Sequence, residues 1–264
     1  MSVTLPLDDS PKIKGKFVAL LLAGPLASLI AGISMLLLSL AMLETATLQE
    51  KWVWIFFLIF GLLSIFIGVG TILPLPSGGI FRTDGGRALR LLRKGPAAEE
   101  EVATLKIIGW TLAGKPYRDI PQEWINNLPD GKGINPNIAL IRYAHSLDTR
   151  ALEEAKVYLQ ILTEQWEEYP VAFRGQVALE VAYGAAALHH DLDSARRFWA
   201  EASEAIKTTY VWSTIRARAA ILYREGDEDG YHAILDELAT KPRTPIWEMP
   251  ESQIRWIKML KEMP

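Results

Sequence analysis

The sequence predicts an all-α chain: a two-span transmembrane helical hairpin followed by a cytoplasmic α-helical domain. Three observations carry this. Residues 17–43 and 52–81 contain no charged side chain. Basic residues gather on the outer flanks of this pair and not between its members. From Ala97 onward, apolar residues recur at helical spacing between short polar turns. The organisation that follows is a tail over 1–16, a membrane hairpin over 17–96 and a soluble helical domain over 97–264.

The first span, "FVALLLAGPLASLIAGISMLLLSLAML", would rise roughly 40 Å as a helix, against a hydrocarbon core of about 30 Å. It is too long for the apolar region of a signal peptide, and no small-residue cleavage site follows it. The second, "WVWIFFLIFGLLSIFIGVGTIL", is about one bilayer thick and opens on tryptophans, as interfacial belts do. The linker "ETATLQEK" is short, so the two helices should lie antiparallel. Lys12, Lys14 and Lys16 precede the pair, and Arg82, Arg87, Arg90, Arg93 and Lys94 follow it. The linker holds Lys51 alone. The positive-inside rule then puts both termini and the soluble domain in the cytoplasm.

Two features inside the spans need a reason. Gly24-Pro25 interrupts the first, where proline removes a backbone hydrogen bond. Ala23, Gly24, Ala27, Ser28, Ala31 and Gly32 recur at helical spacing and predict a face for close helix packing. The second span closes on "TILPLPSGGIFRTDGGRAL", where Pro74 and Pro76 end the helix and Gly78-Gly79 allow a turn. Asp84-Gly85-Gly86 suits a turn or a helix start. An ionisable residue at membrane depth is also a functional hypothesis.

Together, "AGPLASLIAG" and "LPLPSGGIFRTDGGRAL" resemble the second half of the site-2 protease family, the intramembrane zinc metalloproteases. The resemblance covers residues 17 to about 92. It implies that Gly24 and Pro25 are the family's substrate-side Gly-Pro, that Pro74 is its proline, and that Asp84, followed by Gly85, is its third zinc ligand. Thr71 and Ser28 stand where the family carries asparagines. The family's His-Glu-x-x-His, whose two histidines bind zinc and whose glutamate is the general base, is absent from this sequence. The four histidines, His145, His189, His190 and His232, all fall in the soluble part at other spacings. A catalytic zinc takes three protein ligands and an open position. The chain is therefore expected to be inactive alone, as a protease whose front half is elsewhere or lost. Zinc is expected only in a complete assembly.

The soluble part opens on "AAEEEVATLKIIGWTLAG", with acids in its first turn and glycine at its end. A loop-rich stretch with a short helix near Gln122–Asn127 follows. Three helix pairs come next. They are "NIALIRYAHSL" with "RALEEAKVYLQILTEQWEEY", "AFRGQVALEVAYGAAALHH" with "DSARRFWAEASEAIK", and "WSTIRARAAILYREG" with "DEDGYHAILDELAT". Their recurrence at roughly 35–45 residues resembles tetratricopeptide-type repeats, with "ESQIRWIKMLKEM" as the cap. Such stacks present a groove to proteins or peptides, for which Arg174, Trp199, Arg216 and Arg218 are candidates. His189-His190-Asp191 is read as a helix end, since adjacent residues do not face one another.

Cysteine is absent, which excludes disulfides and thiolate sites. The net charge of −3 gives no reason to expect nucleic acid. The expected partners are membrane lipid and a protein or peptide on residues 97–264. A non-enzymatic membrane-anchored scaffold is the alternative function.

Overall fold

A computed structural model describes residues 13–74, 83–131, 134–245 and 248–263. Of the described residues 82% are helical, and none lies in a strand. It divides into two compact units that part between Leu105 and Lys106.

The first unit holds α1 (Ile13–Leu43), α2 (Leu48–Ile72), α3 (Asp84–Leu92) and the start of α4 (Pro96–Leu112). Helices α1 and α2 are each long and apolar enough to cross a membrane. Only 11% of each apolar stretch is buried within the chain, where a core helix of a soluble fold is mostly buried. Thr47 starts α2, where the Glu50 carboxylate accepts hydrogen bonds from the Thr47 N–H (2.9 Å) and hydroxyl (2.8 Å).

The α1–α2 seam follows a seven-residue spacing. Pro25, Gly32 and Ser39 are buried on α1, and Gly61 and Gly68 on α2. That period is the signature of left-handed packing at a shallow angle. The backbones meet at the glycines: a Cβ on Gly32 would lie 2.8 Å from the Gly61 carbonyl oxygen. The seam differs from the small-residue face read in the sequence. Ala23, Gly24, Ala27 and Ala31 are exposed, Ser28 is half-buried, and only Gly32 is buried. Alanine spacing alone does not set the seam; the glycines of α2 select the residues opposite them. α1 continues as helix through Pro25.

α3 buries Gly85, Ala88 and Leu91, three residues apart, and packs mainly on α1. Its outer side is tied to α4. Arg87 Nε donates to Glu101 (2.6 Å), and Arg90 Nη2 donates to Glu100 (2.7 Å) and to the Ala97 carbonyl (3.2 Å). Two of the basic residues after the second span are thus held by the acidic first turns of α4. Pro76, Gly78, Gly79 and Arg82 lie outside the described residues.

The second unit begins within α4. It continues through α5 (Gln122–Asn126) and then α6 (Pro136–Asp148), α7 (Leu152–Glu164), α8 (Val171–Gly184) and α9 (Leu192–Glu201). Helices α10 (Glu204–Thr209), α11 (Val211–Glu225), α12 (Glu228–Thr240) and α13 (Pro250–Met259) complete it. α6 packs on α7, α8 on α9 and α11 on α12, in the pairing read from the turns. α8 widens into a π turn at Ala185–His189, and Arg224 donates to the Ala186 carbonyl there (3.3 Å).

α13 is not an end cap. It packs on α11 and α6, helices of the third and first pairs. The Tyr183 hydroxyl of α8 donates to the Trp256 carbonyl (3.1 Å), and Tyr231 of α12 donates to the Ile257 carbonyl (3.1 Å). Trp256 and Ile257 are buried in consequence. The last helix therefore fills space between the pairs as a core element.

Candidate functional site

Two places gather chemistry-bearing residues, one in each unit. In the first, Thr83 is the N-cap of α3. Its hydroxyl accepts from the Gly86 N–H (3.2 Å) and donates to the Leu73 carbonyl (2.7 Å), pinning the start of α3 to the end of α2. Asp84 follows in the first turn, where a carboxylate complements the helix dipole. It is half-buried and has no hydrogen-bond or ion-pair partner among the described residues. Gly85 is fixed by contact: a Cβ there would sit 1.6 Å from the Ile72 carbonyl oxygen, which no side chain tolerates.

The other expected residues divide. Pro25 is buried in the seam, and its carbonyl faces Gly68. Gly24 is exposed in open space, and Pro74 is exposed just after α2. Thr71 donates within its own helix, to the Ile67 (2.9 Å) and Gly68 (3.1 Å) carbonyls. Asp84 and Gly85 thus share one junction with Pro74 at the end of α2, while Gly24 has no such contact.

A catalytic zinc needs three protein ligands. Among the described residues no three His, Asp or Glu side chains gather in a way that could hold a metal. His189, His190 and His232 are exposed, and His145 is half-buried, held below the ordinary histidine range by burial. His190 ends the π turn in a left-handed conformation (φ 58°), the helix-end role expected of it.

The second place is a buried polar cluster between α6, α8, α11 and α13. Arg216 is wholly buried, with its guanidinium 4.4 Å from the Tyr183 ring centroid and 4.7 Å from that of Trp256. It pairs with buried Glu180. The second Glu180 oxygen accepts from Ser213 Oγ (3.4 Å). Arg216 Nε and Nη1 and the Tyr143 hydroxyl have no partner among the described residues. Burial pushes the Tyr143 and Tyr183 phenols well up, so both stay protonated. Beside them, buried Asp148 accepts from Trp256 Nε1 (2.7 Å), the Arg118 N–H (3.0 Å) and Arg255.

Of the groove candidates, only Arg216 belongs to this cluster. Arg174 braces a turn through the Tyr169 (2.7 Å) and Glu167 (2.5 Å) carbonyls. Trp199 is half-buried under Lys207, and Arg218 is exposed. Glu180, Asp148, Glu248 and Gln253 escaped sequence reasoning. One signal for Glu180 was legible: it is the lone charge in "VALEVAYGAAAL".

No protein-family model, curated protein or solved structure matches this chain.

Proposed function

We propose that the chain is a two-span membrane protein that supplies the Gly-Pro helix and the Asp-Gly aspartate of a site-2-protease-like zinc metallopeptidase. It is inactive on its own. The observation that carries this reading is that α1, α2 and α3, which bear the motifs, pack as one unit with Asp84 at the α2–α3 junction and without a partner among the described residues. The histidine ligands and general base come from a segment other than residues 1–264. The exposed apolar faces of α1 and α2 are lipid-facing, with both termini and the helical domain in the cytoplasm. The helical domain, with its tetratricopeptide-like pairing, recruits or regulates.

The test is isolation of the native protein from membranes with an antibody to residues 97–264, followed by mass and zinc determination. The expected result is a His-Glu-x-x-His segment, continuous with the chain or bound to it. Zinc should be stoichiometric and lost in Asp84→Asn at unchanged yield. A zinc-free protein without such a segment, or zinc retained in the variant, overturns the reading.

The second reading is a membrane-anchored scaffold without catalysis. It is favoured by the structural work that Thr83 and Gly85 already perform at the junction, which needs no metal. The same isolation would then return protein partners on the helical domain and no metal.

A further inference from the structure

The buried cluster of the helical domain borders a cavity of ≈ 80 Å³. Leu140, Gln176 and Tyr210 at its edge are half-buried. Ala144, Met249 and Trp256 deeper in are buried. Two further lining residues are buried and each carries one acceptor oxygen that no described residue satisfies. Glu248 is 4% exposed; its Oε2 accepts from the Trp212 N–H (2.8 Å) and Ser213 N–H (3.4 Å), and its Oε1 has no partner. Gln253 is also 4% exposed; its Nε2 donates to the Glu248 carbonyl (3.2 Å), and its Oε1 has no partner.

An unsatisfied buried acceptor costs about 1–3 kcal/mol, and more when charged. Two on one cavity wall call for a donor that enters the cavity. Glu180 adds a second carboxylate to the lining, and no Lys or Arg is among the described lining residues. Arg216 sits behind Glu180 and is already paired. Tyr117 and Trp256 supply stacked rings, with centroids 6.5 Å apart, on the same wall. Unsatisfied acceptors, one of them on a carboxylate, and aromatic faces together recognise a compact cation that carries N–H donors.

We propose that this cavity binds a guanidinium or primary ammonium group, with Glu248 Oε1 and Gln253 Oε1 as its acceptors. The volume admits the head group and its first methylenes. The group is either the side chain of a basic peptide or a free small amine. The site is independent of the metal-ligand reading of Asp84.

The experiment uses the full chain in detergent, titrated with methylguanidinium and, as the neutral isostere, N-methylurea, by calorimetry and tryptophan fluorescence. Saturable binding of methylguanidinium and none of N-methylurea is expected. Glu248→Gln and Gln253→Met should each weaken binding by tenfold or more with an unchanged circular dichroism spectrum. A capped Arg-containing peptide that binds tenfold tighter than methylguanidinium assigns the cation to a polypeptide, and the absence of such a gain assigns it to a free amine. Equal binding of N-methylurea, no saturation by methylguanidinium, or folded variants that bind as the wild type overturn the proposal and leave the cavity to water. The contrast between the two isosteres on the wild type stands even if a variant does not fold.

Discussion

Glu180→Gln should be among the most damaging single changes in the helical domain. Arg216 is fully buried, and Glu180 is its only ion-pair partner among the described residues. Two of its three nitrogens already lack partners, so no other group takes over when the charge is lost. Leaving a buried charge unpaired costs about 3–5 kcal/mol. For a unit of this size each kcal/mol moves the melting temperature by about 2–4 °C, so a fall of about 6–20 °C is expected. Arg216→Met should cost a similar amount by stranding Glu180. The double variant Glu180→Leu/Arg216→Met removes both charges and keeps apolar volume between Tyr183 and Trp256. It should recover most of the loss, since replacing a buried pair is neutral or stabilising by about 1–4 kcal/mol. The assay is thermal unfolding of the full chain in detergent, followed by far-ultraviolet circular dichroism. A single variant that loses less than 2 °C, or a double variant no better than its parents, would refute the argument that the pair compensates itself.

Gly85→Ala should displace α3 from α2, because its Cβ meets a backbone carbonyl and not a flexible side chain. The cost is at or above the ~3 kcal/mol that ends the usual range for overpacking, read as loss of the folded hairpin in limited proteolysis. Gly24→Ala is the control: its Cβ enters open space, and alanine should stabilise the helix by about 0.5–1 kcal/mol in the same assay. Burial raises the Glu248 carboxyl, against the backbone N–H groups of Trp212, Ser213 and Val211 that lower it. A raised folded-state value means that this group's stabilising contribution is full below the unfolded value of about 4.3 and is lost as pH rises through the folded value. Melting curves from acid to neutral pH should therefore show wild type falling relative to Glu248→Gln as pH rises; parallel curves would remove burial as the cause.

The helices were legible in the sequence because they rest on local signals. Charge-free runs marked α1 and α2, and short polar turns marked each partner of the three pairs. What the sequence hid is long-range. Trp256 reaches Asp148 across 108 positions, and Arg216 reaches Glu180 across 36. Periodicity tells which face of a helix is apolar but not which helix meets it, so α13 read as a cap and proved to be core. The hairpin seam was misread for a related reason. Small residues on α1 permit close approach at many rotations, and only the glycines of α2 select among them. Asp84-Gly85-Gly86 was legible as a turn or a helix start, but the N-cap role of Thr83 and the contact of Gly85 with the Ile72 carbonyl were not.

That contact sharpens what the Asp-Gly pair can be evidence for. Gly85 has a sufficient steric reason in this chain, so its presence beside an aspartate does not by itself argue for a metal. Asp84 is different. At the first position of α3 it contributes about 0.3–1 kcal/mol through the helix dipole, and asparagine forfeits only part of that. The two substitutions therefore separate folding from chemistry. Gly85→Ala should lose the hairpin and any zinc together. Asp84→Asn should keep the melting temperature within about 2 °C while it empties a metal site, if a complete assembly forms one. An Asp84→Asn protein as unstable as Gly85→Ala would make the carboxylate a folding element and leave the ligand reading without support.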